Sequence, residues 1–187
     1  MAGTIKLDGT TFLTKDSSND FTLDVGSGGS IPKGTLGSDV VFPAGAVIQV
    51  KSTILNASDG NTGSSSYVAT GLTVAITPKF SNSLMIIFWE SGVSHWNAQN
   101  GNSQGAFAVY NGSTLVTGSE KRFYWNTTGT SSHYGYINVS SHTSETLSSA
   151  SAITYQLYAK ATGGTFYYFN GTPGTYRPTM TVYEVKQ

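Results

Sequence analysis

Apolar and polar residues alternate with a period of two through much of this chain, and no stretch shows the i, i+3, i+4, i+7 apolar stripe of a helix. The segment Gly71 to Thr77 is the clearest case. Leu72, Val74 and Ile76 point one way, Thr73, Ala75 and Thr77 the other, and Pro78 stops the run because it has no N–H to continue a ladder. Similar runs predict strands at Ala46–Lys51, Ala106–Tyr110, Ser113–Val116, Tyr134–Val139, Ile153–Ala159, Thr165–Phe169 and Thr179–Val185. Leu84 to Trp89 is continuously apolar, which predicts a strand buried on both faces. Asn111-Gly112 between two strand runs signals a hairpin. Ala161-Thr162-Gly163-Gly164 predicts a second, joining Ile153–Ala159 to Thr165–Phe169. About eight strands with these turns predict an all-β fold, a jelly-roll-like antiparallel β-sandwich.

The pattern changes near Gly45. Residues 1–45 read as an extended N-terminal arm, with short strand-like runs at Thr4–Asp8, Thr11–Thr14 and Phe21–Val25, followed by a Gly/Ser-rich linker over 26–39. So thin an apolar content cannot bury a core. The arm is therefore expected to dock on another surface or to wind with copies of itself. Ile5, Leu7, Phe12, Leu13, Phe21 and Leu23 are its candidate docking or self-association residues. Residues 46–187 are long enough to form a knob domain with its own core.

Charge sharpens this picture. Charged residues make up 11% of the chain, against about 25% in an average soluble domain. The 10 basic and 10 acidic residues cancel, which argues against a nucleic-acid binder. A disordered chain would be charged and poor in aromatics, whereas here aromatics reach 12%. A surface of Ser, Thr, Asn and Gly near zero net charge tends to associate, and so suits a subunit fixed in an assembly. The chain has no cysteine, which removes disulfides, thiol nucleophiles and Cys-ligated zinc. The start Met1-Ala2-Gly3-Thr4-Ile5-Lys6 lacks the pattern of a secretory signal, so synthesis in a cytoplasm is expected. The run Leu84–Trp89 is far shorter than the 18 or so residues of a spanning helix, so no membrane insertion is expected.

Three segments carry a resemblance. They are Val41-Phe42-Pro43-Ala44-Gly45-Ala46-Val47-Ile48-Gln49-Val50, the stretch from Ser65-Ser66-Tyr67-Val68 through Thr77-Pro78-Lys79-Phe80-Ser81-Asn82-Ser83, and the closing Thr181-Val182-Tyr183-Glu184-Val185-Lys186-Gln187. Together they resemble virion structural and tail-fibre proteins of tailed bacteriophages, especially phages of marine bacteria and cyanobacteria. The stretch from Tyr155 to Gly171 is similar to the same group. The resemblance implies a trimeric, β-rich fibre or knob module with no catalytic residues. Its partners would be itself as a homotrimer, other virion proteins and a host cell-surface glycan, and its location the exterior of a virion, on tail or capsid.

Other constellations are weighed against blander readings. Glu90 and His95 flank Ser91-Gly92-Val93-Ser94 and have the chemistry of an acid–base pair, but a strand end with a polar loop explains them as well. His95, His133 and His142 could gather a metal around a threefold axis, yet their spacing matches no metal signature. Gly26-Ser27-Gly28-Gly29-Ser30 lacks the Lys-Ser/Thr of a phosphate loop and reads as linker. No catalytic residue, metal or cofactor is expected. Trp96, Trp125 and Tyr176, placed in loops, are candidate glycan contacts, with burial against a neighbour as the alternative. Phe166 to Phe169 has aromatics on both faces, one expected on the core and one on a partner chain. The expected function is a tail fibre engaged in host attachment. A capsid decoration protein is the alternative, and a glycan-cleaving tailspike enzyme a third reading. That last needs paired carboxylates across a cleft.

Overall fold

A computed structural model describes residues 3–7, 10–15, 21–23, 42–56, 60–97, 102–126, 133–169 and 177–187. At 3–7, 10–15, 21–23, 93–97, 102, 103, 125, 126 and 133–136 it is the backbone alone that is described. The linker over 26–39 and Tyr176 lie outside this set. The chain is all-β and forms two compact units, Met1–Val41 and Phe42–Gln187.

The smaller unit holds β1 (Gly3–Leu7), β2 (Thr10–Lys15) and β3 (Phe21–Leu23), an antiparallel sheet in that order. Its register aligns Ile5, Leu13 and Leu23 in one row and Thr4, Thr14 and Thr22 in the next. Between Ile5 and Lys6 the ladder bulges, leaving Phe12 opposite no partner of its own.

The larger unit begins four residues before the division expected near Gly45. The reason is local: Gly45 N donates to Lys186 O and Lys186 N to Ala46 O, tying residues 42–46 to the final strand. Its strands are β4 (Val47–Ile54), β5 (Gly60–Thr62), β6 (Val68–Ile76), β7 (Leu84–Asn97), β8 (Asn102–Asn111), β9 (Thr114–Leu115), β10 (Lys121–Asn126), β11 (His133–Thr146), β12 (Ile153–Gly163), β13 (Phe166–Tyr168) and β14 (Thr179–Val185).

They make two antiparallel sheets. In the first, β11 and β14 flank β7, β13 continues the line of β14 along β7, and β5 continues that of β4. This β7 sheet thus has four columns: β4/β5, β14/β13, β7 and β11. The second, the β8 sheet, runs β10-β8-β12-β6 with β9 beside β8 on the β10 side. The chain passes from one sheet to the other at β5–β6, β6–β7, β7–β8, β10–β11, β11–β12 and β12–β13.

The core lies between the sheets. Leu72, Val74 and Ile76 are 0–3% exposed, as their alternation with Thr73 and Ala75 predicts. They join Met85, Ile87 and Trp89 from β7, Phe107 and Val109 from β8, Tyr155 and Leu157 from β12, and Met180 and Val182 from β14. Trp89 meets Phe107 edge-on across the sheets, with centroids 5.1 Å apart. Phe166 lies over Gly105, where a Cβ would come within 2.1 Å of the ring.

Four expectations change. Residues 153–159 and 165–169 do not form a hairpin. β12 pairs with β6 and β8, while β13 pairs with β5 and β7 in the opposite sheet. Gly164, at φ +68°, turns the chain across the sandwich instead. The Asn111-Gly112 hairpin exists but its central pair is Gly112-Ser113, with Asn111 facing Thr114. Positive φ at Gly112 but not at Ser113 is the type II′ pattern. Third, Leu84–Trp89 is buried on one face only: Met85, Ile87 and Trp89 are core, whereas Phe88 is 46% exposed. Three of the four aromatics in Phe166–Phe169 face the core, because Phe169 adopts a left-handed φ of +59° that turns it inward.

Candidate functional site

Three places in the larger unit concentrate polar or aromatic chemistry. The first is the corner where the chain enters at Phe42. Glu184, on the inward side of β14, is fully buried. Its carboxylate accepts from Gln49 Nε2 at 2.7 Å, Lys79 N at 2.8 Å, Phe80 N at 3.2 Å and Ser83 Oγ at 2.6 Å. A buried carboxylate is tolerated when its lone pairs are satisfied in this way. Phe42 packs edge-on against Phe80 at 6.2 Å, and Lys186 Nζ stands 4.5 Å from the Phe80 ring centre. All three segments quoted for the phage resemblance therefore meet here, although they are far apart in sequence.

The second place is the outer face of the β8 sheet. Ala106 and Ala108 lie on this face yet are fully buried. Their registered neighbours are Arg122, Tyr158 and Lys160. The Glu120 carboxylate accepts from Tyr67 OH, from Arg122 Nε and from Lys160 Nζ at 3.0 Å. Lys160 Nζ also stands 4.3 Å above the Tyr67 ring. Tyr67 meets Tyr110 edge-on at 5.7 Å, and Tyr110 meets Tyr158 at 4.3 Å. The Tyr67 hydrogen bond, then those from Arg122 and Lys160, hold the Glu120 carboxyl down at about 2. Burial, then its bond to Glu120, pushes the Tyr67 hydroxyl up. Both cations of this cluster thus lean on the one Glu120 carboxylate.

The third is the outer face of the β7 sheet. Register places its outward residues in four rows across β4, β14, β7 and β11: Val47–Val185–Leu84–Thr146, Val50–Tyr183–Ile86–Ser144, Ser52–Thr181–Phe88–His142 and Ile54–Thr179–Glu90–Ser140. Half of these positions are apolar, six carry hydroxyls on Ser or Thr, and Glu90 alone is acidic. Val47, Val50, Ile54 and Phe88 are 54%, 48%, 53% and 46% exposed. Phe88 contacts Tyr183 edge-on at 5.7 Å and His142 at 5.5 Å. A shallow hollow of about 280 Å³ opens beside them, lined by Glu90, Ser140, Thr179 and Thr181 among others.

The residues singled out in the sequence fare differently. Glu90 and His95 sit on one uninterrupted ladder, five residues and thus about 17 Å apart along the strand, which does not make an acid–base pair. His142 pairs with Phe88, while His95 and His133 lie toward the other end of that ladder, so one chain does not gather the three. Trp96 and Trp125 fall within β7 and β10 rather than in loops, opposite Tyr134 and Ser103. The arm residues Ile5, Leu13 and Leu23 are brought into one row; Leu7 pairs with Thr10 and Phe21 with Lys15. Sequence reasoning missed Glu184, the Glu120 cluster and the Phe88 face. The last left a signal: outward Leu84, Ile86 and Phe88 are the even positions of the apolar run that was read as doubly buried.

No family model matches the chain, and no curated protein matches it. Among solved structures it is similar to part of dimeric latent PorU from Porphyromonas gingivalis, at 9% identity with a TM-score of 0.29. The match covers 77% of this chain, which spans 14% of that one. Nothing about function follows from so distant a likeness.

Proposed function

We propose that this chain is a phage virion structural protein, a trimeric fibre-like module whose task is adhesion or architecture. The observation that carries the reading is the meeting of the three phage-like segments around the buried Glu184. Residues chosen only by resemblance turn out to form one structural unit, with the types that unit needs: a carboxylate, the loop amides and serine that satisfy it, and an aromatic under a lysine.

Strand order supports the same reading. Numbered along the chain, the eight columns are β4/β5, β6, β7, β8, β9/β10, β11, β12 and β13/β14. One sheet then runs 1-8-3-6 and the other 2-7-4-5. We read this as the jelly roll, an architecture of viral capsid and lectin domains.

The test is location. Particles banded by density from an infected host culture are digested for mass spectrometry, and intact ones are labelled with an antibody to residues 42–187. We expect the chain in the particle band and label on a tail appendage. Label over the head would favour capsid decoration instead. A chain confined to the soluble lysate would overturn the reading.

A further inference from the structure

We propose that the outer face of the β7 sheet is where three copies of this chain meet, around a threefold axis running along the strands. The inference rests on the trimer of the preceding reading and names its interface.

The face has the composition of a buried surface and the exposure of an open one. Phe88, at the middle of the sheet, and Val50 and Ile54, at its edge, are each about half exposed. Exposed apolar patches of this kind mark association surfaces. With one ionised group among its outward positions, the face sets up little repulsion between identical copies.

The dimensions fit a threefold closure. Four columns whose outer strands keep ~4.8 Å from those of the next copy at each corner enclose a triangle of side about 24 Å, with each face about 7 Å from the axis; that is about 2 Å more than half the ~10 Å spacing of stacked sheets, a gap for side chains as large as Phe88 and Tyr183. Four columns at ~4.8 Å spacing span about 14 Å between outer backbones and about 19 Å overall. The patch then projects roughly 440 Å² over seven residues of β7. Shared between two neighbours, that is about 220 Å² with each and about 1,300 Å² over the whole trimer before side-chain relief is counted, against the ~1,600 Å² total of a standard pairwise interface.

The edges separate a trimer from a face-to-face dimer. Among the described residues, β4 pairs only with β14 and β11 only with β7, so both outer edges of the sheet are open. Open edges invite pairing and proteins cover them. At each corner of the triangle β4 of one copy lies beside β11 of the next, which covers both. A twofold stack of the same faces leaves them open.

The full chain tests this. Having no cysteine, it accepts Ser52→Cys with His142→Cys as its sole thiols. These occupy the two ends of one row. That is three column spacings, or about 14 Å, within a chain, beyond the ~7 Å reach of a disulfide, but they are adjacent across a corner. We expect oxidation to drive the variant to a covalent trimer on a non-reducing gel. The unmodified chain should sediment at three times 19.7 kDa at micromolar concentration. Phe88→Glu should weaken association at least tenfold, with an unchanged circular dichroism spectrum, and Tyr124→Glu on the other sheet should not. A covalent dimer as end point, or a trimer that ignores Phe88→Glu and does not cross-link, overturns the interface and leaves the virion reading intact. A monomeric unmodified chain overturns the trimer, while location in the particle is read separately.

Discussion

The two outer faces of the sandwich solve the same problem in opposite ways. Each sheet buries its inner side on a shared core and must then do something with its outer side. The β8 sheet roofs the middle of that side with its own residues and leaves Tyr124 and Leu115 exposed only along its β9/β10 margin. Tyr67, Glu120, Arg122 and Lys160 close a hydrogen-bonded cluster, Tyr110 and Tyr158 stack beside it, and the alanines on the same face are fully buried. The β7 sheet leaves Phe88, Val50 and Ile54 in the open with hydroxyls around them. A face whose charges are met internally has little left to offer a partner. A face with exposed apolar groups and almost no charge gains free energy when it is covered.

The sharpest way to break the comparison lies within one strand. Trp89 and Phe88 are consecutive in β7, the first 2% and the second 46% exposed. Trp89→Ala should cost about 4 kcal/mol in the unfolding free energy, because it empties the contact with Phe107 and leaves a cavity. Phe88→Ala should cost the isolated subunit under about 1 kcal/mol, with its main effect on association. Denaturant titration at concentrations too low for assembly measures both. Equal losses would mean that the outer face is as structural as the inner one.

Next in size is Glu184, which belongs to neither outer face. Glu184→Ala leaves two loop amides and a serine hydroxyl without this acceptor, and Gln49 Nε2 with Thr77 O alone. We expect a loss of about 3 kcal/mol, and Glu184→Gln should recover part of it. If Glu184→Ala melts within a degree or two of the unmodified chain, the corner is not the anchor that its hydrogen bonds describe.

Local pattern carried much of the fold, and it failed where pairing is long-range. Leu72, Val74 and Ile76 were legible because period-two alternation ties burial to sequence neighbours alone. The switch at Gly163-Gly164 was not: two strands across a glycine turn look like a hairpin whether they pair with each other or cross to opposite sheets. The Leu84–Trp89 run was read as doubly buried because an outer face that carries Leu84, Ile86 and Phe88 writes the same sequence as an interior one. Glu184 and Glu120 were illegible because their partners lie 101 to 135 and 2 to 53 positions away, respectively. A lone acidic residue in a strand, as Glu184, or just before one, as Glu120, gives no hint of what it will meet.

The smallest expected effect concerns the charge cluster on the β8 face, and its sign can be worked out. Glu120 is held at about 2 by bonds from Tyr67, Arg122 and Lys160, below its ordinary value of 4.5. A carboxyl whose folded value is depressed binds fewer protons in the folded state. Its stabilisation is therefore complete above the unfolded value and is lost as pH falls from about 4.5 toward 2. Glu120 keeps 27% of its side-chain surface in water and Arg122 73%, so solvent screens the pairs and the whole effect should be about 1 kcal/mol. Glu120→Gln should lower stability at pH 7 by that amount, and the two proteins should converge as the pH approaches 2. Salt should narrow the gap at neutral pH. A gap between the two proteins that persists to pH 2, or that ignores salt, would mean that the Glu120 bonds do not hold this face together, and would remove the electrostatic side of the contrast with the β7 face.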